Sequence, residues 1–258
     1  MKKILLLVLG IIVPVVALKA QSNTNQTLQN AEKNGWEYDV KFGINIGGSA
    51  PIPLPVQIRA IKKYDPRLNA LIEGDVIHWL GEQKKWGVSA GLRFEEKGMH
   101  TGARVKSYST EVIDGNQKVS GNYTGNVHTK YSSILMTIPI MANYKINGRW
   151  RVRAGIFESC KLDGDFSGYV SDGYLRQGSP VGQKLEFKDG KRGTYDFSHD
   201  LRRFQTGLQA GASWFAFNHF SVNADLSWGL NDIFKSDFKT VTFNLYPIYL
   251  NLGFGYKF

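Results

Sequence analysis

Apolar side chains fall on every second residue along much of this chain. Trp36, Tyr38, Val40, Phe42, Ile44 and Ile46 alternate with Glu37, Asp39, Lys41, Gly43 and Asn45. The same period recurs from Trp86 to Phe94, Ile134 to Tyr144, Trp150 to Ile156, Phe204 to Trp214 and Phe220 to Leu230. A less regular run covers about Leu68 to Leu80. A last one places Ile248, Leu250, Leu252, Phe254, Tyr256 and Phe258 on one face. Successive side chains of a strand point to opposite faces, so each run predicts a strand with one apolar face. Eight such strands follow.

Their connections alternate in length. Gly81–Lys85, Asn147–Arg149 and Asn218–His219 are short; Gly48–Arg67, Glu96–Tyr131 and Asp163–Arg202 are long, and Asp232–Lys239 is intermediate. An all-β, up-and-down antiparallel transmembrane barrel has this form, with short periplasmic turns and longer external loops. An even strand number puts both termini in the periplasm.

Two patterns turn the apolar face outward, to lipid. Trp36, Trp86, Trp150, Phe220 and Phe258 sit at the short-turn ends, with Trp79, Tyr144 and Trp214 on the preceding strands. Together they read as an aromatic girdle at one membrane boundary. The other face carries Glu37, Asp39, Glu73, Asp75, Glu95 and Asp225 against Lys41, Arg93, Arg151, Arg153, Arg203 and Lys257. Facing lipid, each midplane Arg or Lys would cost roughly 2–4 kcal/mol. Inside eight strands, where side chains just fill the space, they are expected to pair into an ion-pair network beside Met141 and Tyr249. The lumen is therefore expected to be plugged.

Composition now makes sense. The mean hydropathy of −0.27 reads as soluble, because only half of each strand faces lipid. Cys160 is the single cysteine, which excludes an internal disulfide framework and a multi-cysteine zinc site. Lys2 and Lys3, the apolar run Ile4–Leu18 and the Ala20–Gln21 junction form a signal-peptide pattern over 1–20. A polar lead-in over 21–35 and a barrel domain over 36–258 follow. Phe254, Tyr256 and Phe258 read as the signal by which barrel-assembly machinery recognises the last strand.

The net charge of +10 loses Lys2, Lys3 and Lys19 with the signal segment, leaving +7. The first external loop carries Arg59, Lys62, Lys63 and Arg67 against Asp65, and Lys97 counts with the second. A basic rim suits outer-membrane lipid and lipopolysaccharide. No nucleic-acid motif accompanies the charge, and export argues against that partner.

Catalysis would need a nucleophile or activated water with a base held beside it. His78 and His219 fall at periplasmic turns. His100, His128 and His199 fall in external segments, near Asp165, Asp196 or Asp200, without a selecting spacing. No catalytic residue, metal ligand or cofactor is expected. Pro51, Pro53 and Pro55 are expected to stiffen a loop leaving the first strand, with a polyproline recognition segment as the alternative, and Asp189-Gly190, between Phe187 and Arg192, predicts a hairpin tip within the third loop and strands extending beyond the membrane as a ribbon.

Several fragments resemble the PorT-type outer-membrane β-barrel family of Bacteroidetes: Lys41-Phe42-Gly43, Gly91-Leu92-Arg93-Phe94 with Glu96-Lys97-Gly98, Tyr131 through Ile138-Pro139-Ile140, Ala154-Gly155-Ile156 and Gly253 to Phe258. The resemblance implies a barrel in the outer membrane. Some members serve protein secretion, and the family shares no active site, so no functional residue carries over. The expected function is a non-catalytic surface-binding, scaffolding or secretion-accessory barrel. A barrel enzyme acting on lipid A, phospholipid or peptide, and a small-solute porin, are the alternatives.

Overall fold

A computed structural model describes residues 33–114, 117–179 and 181–258. The segment read as a signal peptide, 1–20, and most of the lead-in lie outside the described residues. Eleven strands are present: β1 (Trp36–Pro51), β2 (Ile58–Asp65), β3 (Asn69–Leu80), β4 (Trp86–Asp114), β5 (Gln117–Lys145), β6 (Trp150–Gln177), β7 (Lys184–Phe187), β8 (Gly193–Asp196), β9 (Phe204–Phe215), β10 (Phe220–Gly229) and β11 (Leu245–Lys257).

Eight of them, β1, β3, β4, β5, β6, β9, β10 and β11, pair antiparallel in a ring. The ring closes through β1 and β11, in register from Asp39↔Lys257 to Pro51↔Leu245. The alternating runs form these staves because a closed barrel satisfies every backbone amide and carbonyl without water, as lipid requires. The outward row includes Phe42, Val88, Leu92, Phe94, Ile138, Ile140, Ile156, Leu208, Val222, Leu226, Leu252 and Phe254, all exposed.

The long connections depart from expectation. The loops expected at 96–131 and 163–202 are largely strand: β4 and β5 run for 29 residues each and β6 for 28. These three staves rise far above β9, β10 and β11 and form an extracellular head. β7 and β8 both lie along β6, and β8 also bridges to β4 through Ile113↔Thr194. The hairpin expected at Asp189-Gly190 is present only as a turn, with φ of 55° and 84° and the Lys191 amide donating to the Lys188 carbonyl at 3.0 Å. Its flanking strands pair with β6 instead of with each other.

One stretch of wall is incomplete. β3 joins β1 only up to Asn45↔Asn69 and joins β4 only up to Leu71↔Glu95. Above that level β2 takes its place beside β4, from Asp65↔His100 to Ile58↔Val105. The upper part of β1 pairs with β11 and not with β2. At the foot of this gap the Asn69 amide donates to the carbonyls of Asn45 (3.2 Å) and Gly98 (3.0 Å), tying β3 to the strands on both sides.

Candidate functional site

The inward row of the lower barrel is polar. Among the described residues, six buried carboxylates (Glu37, Asp39, Glu73, Asp75, Glu95, Asp225) meet five buried cations (Lys41, Arg93, Lys97, Arg151, Arg153). Arg151 engages Glu37 and donates to Asp39 at 2.8 Å. Arg153 grips Asp225, with Nε to Oδ1 at 2.6 Å, and also reaches Ser213. Lys41 bridges Glu73 at 2.7 Å and Asp75 at 2.6 Å. Arg93 contacts Glu73 and donates to Gln209 at 2.9 Å, while Lys97 pairs with Glu95 at 3.2 Å. Thr137 and Asn45 also donate to Glu95, at 2.7 and 3.0 Å.

Three expected placements change. Arg203 lies outside β9 and is exposed, its guanidinium 5.7 Å from the Phe204 ring, so it does not join the lumen charges. Lys97, counted with a loop, is buried inside, its ammonium 5.1 Å from the Phe157 ring centroid. Trp79, counted in the girdle, points inward: its indole donates to Glu37 at 2.9 Å, and the Lys145 ammonium lies 3.7 Å over its ring. Lys257 is half-buried at the periplasmic mouth, where it lines a polar vestibule of about 750 Å³ that also touches Glu37 and Arg151.

The other girdle residues face outward at the short-turn end. Trp36, Trp86, Trp150, Trp214, Phe220 and Phe258 are exposed. The Trp86 ring packs tilted against half-buried Tyr144, with centroids 4.6 Å apart. Phe254, Tyr256 and Phe258 point outward along β11.

The head has the reverse composition. Its interior holds Met99, Val105, Val112, Tyr123, Val127, Phe166, Val170, Leu175, Phe187, Tyr195 and Phe197, all buried in one apolar cluster. The expected fourth loop supplies Ile233 and Phe234 to this core, and Val241 and Leu245, just beyond it, are buried there too. Phe234 packs edge-on against Phe166 at 4.8 Å. Asp232 Oδ1 anchors that segment by accepting from the amides of Leu245 (3.0 Å) and Phe234 (3.3 Å). Burial pushes the hydroxyls of Tyr108 and Tyr195 well above the usual phenol range. Tyr195 donates to the His128 carbonyl at 2.9 Å and shares a hydrogen bond with Thr129 at 2.7 Å.

Beside this core, at the incomplete wall, lies an apolar cavity of about 490 Å³. Gly47 to Pro51, Ile61, Met99, Ala103, Val105 and Ile248 line it. Gly48 makes room for Met99: a Cβ there would meet its sulfur at 2.4 Å. The cavity leaves no periodic signature in the sequence, although Leu54, exposed between Pro53 and Pro55, lines it.

His100 Nδ1 stands 3.9 Å from Asp65, beyond hydrogen-bond reach, with both side chains well exposed. His128 stacks on Tyr169 at 4.6 Å. Cys160 is half-buried in β6, opposite Met136 and Phe204.

A family model described as outer membrane protein beta-barrel domain matches residues 19–235. No match is found among curated proteins. Solved structures match at low identity. Ail, the attachment invasion locus protein of Yersinia pestis, in complex with the heparin analogue sucrose octasulfate, is 10% identical with a TM-score of 0.36, covering 86% of this chain and 97% of that one. OprG from Pseudomonas aeruginosa is 12% identical with a TM-score of 0.36, covering 87% and 97%. Neisserial surface protein A is 12% identical with a TM-score of 0.34, covering 87% and 97%.

Proposed function

This chain belongs to the outer membrane protein beta-barrel domain family, and from that premise we propose that it is a non-catalytic outer-membrane barrel that binds at the cell surface through its head. The carrying observation is the contrast between its two ends. The membrane segment is filled by paired charges, and the extracellular staves enclose a packed apolar core. Such a core holds the outward head surface in a fixed shape, as recognition needs. Residues 1–20 act as the signal peptide and 36–258 form the mature barrel. The lumen pairs seal the interior, the outward aromatics anchor the periplasmic rim, and Phe254, Tyr256 and Phe258 serve assembly.

The resemblance of several fragments to PorT-type barrels favours a secretion-accessory or scaffolding partner as the first class to seek. The porin reading is disfavoured by the filled lumen. The test has two arms. In planar bilayers the purified protein is expected to show no steady single-channel conductance; regular steps would sink the sealed lumen. In capture from native membranes, alanine at the exposed head residues Arg104, Lys106 and Lys118 is expected to release the bound component. Unchanged capture would sink the surface-binding reading.

A further inference from the structure

The gap between β1 and β2 and the apolar cavity behind it form one feature. A tilted membrane strand needs about 9–11 residues to cross the apolar band. From the girdle at Trp36, Trp86 and Phe258 that distance reaches about Ile46, Glu96 and Ile248. Gly47, Met99 and Ile248 line the floor of the cavity, so it begins at the outer edge of the membrane. Its mouth is lateral. Leu54, Ile61 and Tyr64 line the cavity and are also 58%, 63% and 51% exposed. They stand where β1 and β2 fail to pair.

The rim is of the opposite kind. Arg59, Lys62 and Lys63 are exposed on the same short strand whose Ile58, Ile61 and Tyr64 face the cavity, and Arg67 follows. Among the described residues no ion pair engages Arg59, Lys62 or Lys63. A dry slot of ligand-pocket size, open sideways at head-group level and flanked by free cations, matches one kind of occupant: a lipid with an acyl chain and more than one phosphate. At the outward face of a Gram-negative envelope that lipid is lipopolysaccharide.

We propose that this cavity takes an acyl chain of lipopolysaccharide through the lateral gap between β1 and β2, while Arg59, Lys62 and Lys63 meet the lipid A phosphates. The site adjoins the head residues Arg104 and Lys106, since Arg104 pairs with Ala60 of β2, but it is read by contacts to buried methyls and not by capture of a surface partner, so either reading can fail without the other. Asn69 and Asn45 hold the lower lip of the opening. Met99 sits across from Gly48, where an entering chain would first touch the interior.

The full-length mature protein in nanodiscs of deuterated phosphatidylcholine, with protonated lipid A added, tests this by methyl NMR. Nuclear Overhauser contacts are expected from lipid A methylenes to the buried methyls of Met99, Val105 and Val127. Contacts confined to outward methyls such as Leu252, Ile140 and Leu208 would overturn the proposal. Equal contacts from protonated phosphatidylglycerol would overturn the choice of lipopolysaccharide. Ala103→Phe, which fills the cavity, should abolish the interior contacts and keep the outward ones. Folding of each variant is checked by its gel shift between boiled and unboiled samples. Should Ala103→Phe fail to fold, the exposed triple variant Arg59→Ala, Lys62→Ala, Lys63→Ala decides. It should weaken the interior contacts at least fivefold, and undiminished contacts would overturn the phosphate assignment.

Discussion

The lower barrel and the head share three long strands, and along those strands the polarity of the inward face reverses. Along β4, Arg93, Glu95 and Lys97 point inward below, and Met99, Val105 and Val112 point inward above. Leu92 and Phe94 face out below, and Arg104 and Lys106 face out above. Along β6, Arg151 and Arg153 give way to Phe166, Val170 and Leu175. The backbone rule is unchanged, and what differs is the solvent outside. Lipid admits only apolar residues outward and leaves the polar ones to pair within; water reverses the preference. The crossover therefore marks the membrane surface.

Removing one charge from the lower core should have the largest effect. Arg93→Ala leaves Glu73 and Glu95 short of a buried cation, which costs about 3–5 kcal/mol where a buried pair is broken. The gel-shift transition temperature of the whole barrel should fall. A barrel that melts unchanged would mean the pairs do not hold it. In the head, Leu175→Ala creates a cavity and costs about 2–4 kcal/mol. Here the loss should stay local, with protease trimming the head while the lower barrel keeps its gel shift. Concerted melting of both parts would erase the distinction between them.

The outer faces can be compared with one residue type. Ile140→Lys places an ammonium against lipid and should cost about 2–4 kcal/mol in reversible urea unfolding into vesicles. Ser120→Lys, at an exposed head position, should stay within about 0.5 kcal/mol. The smallest effect is a titration. Burial, then the nearby Arg192, hold the His128 imidazole below its ordinary value. As pH falls through about 6.5, the unfolded chain takes up the proton first, so the head is more stable above that pH than below it. NMR of the ring should show the low value and its rise in Arg192→Ala; an unshifted ring would break the link.

Much of the lower barrel was legible from parity alone. Glu73 and Asp75 share their parity with Ile77 and Trp79, which already puts the Trp79 indole inside. Lys97 shares parity with Arg93 and Glu95 in the same way. Arg203 shares parity with Gln205 and Gln209, but β9 begins one residue later, so parity no longer applies to it. Beyond the ribbon expected around Asp189-Gly190 the head was not legible, for two physical reasons. Its inversion removes the apolar-outward signature, and bulges shift the β4–β5 register between Val105 and Tyr108 and the β5–β6 register at Thr124/Asn126 and Ile134/Leu135. The cavity depends on β2 reaching β4 and not β1, a pairing choice that no local pattern encodes.

The closure of the ring has a kinetic consequence. β4 and β5 meet as a hairpin, with Asp114 opposite Gln117, so their pairing spreads from a short loop. β1 and β11 must instead bring Asp39 to Lys257 across nearly the whole described chain. Loop entropy grows with separation, and distant pairings form late. The hairpin that spans both solvents is therefore expected to form early, and β1 to be the last strand fastened. Below Asn45 it is then held on both sides, and above it on one. The edge that is last to zip is the edge left open.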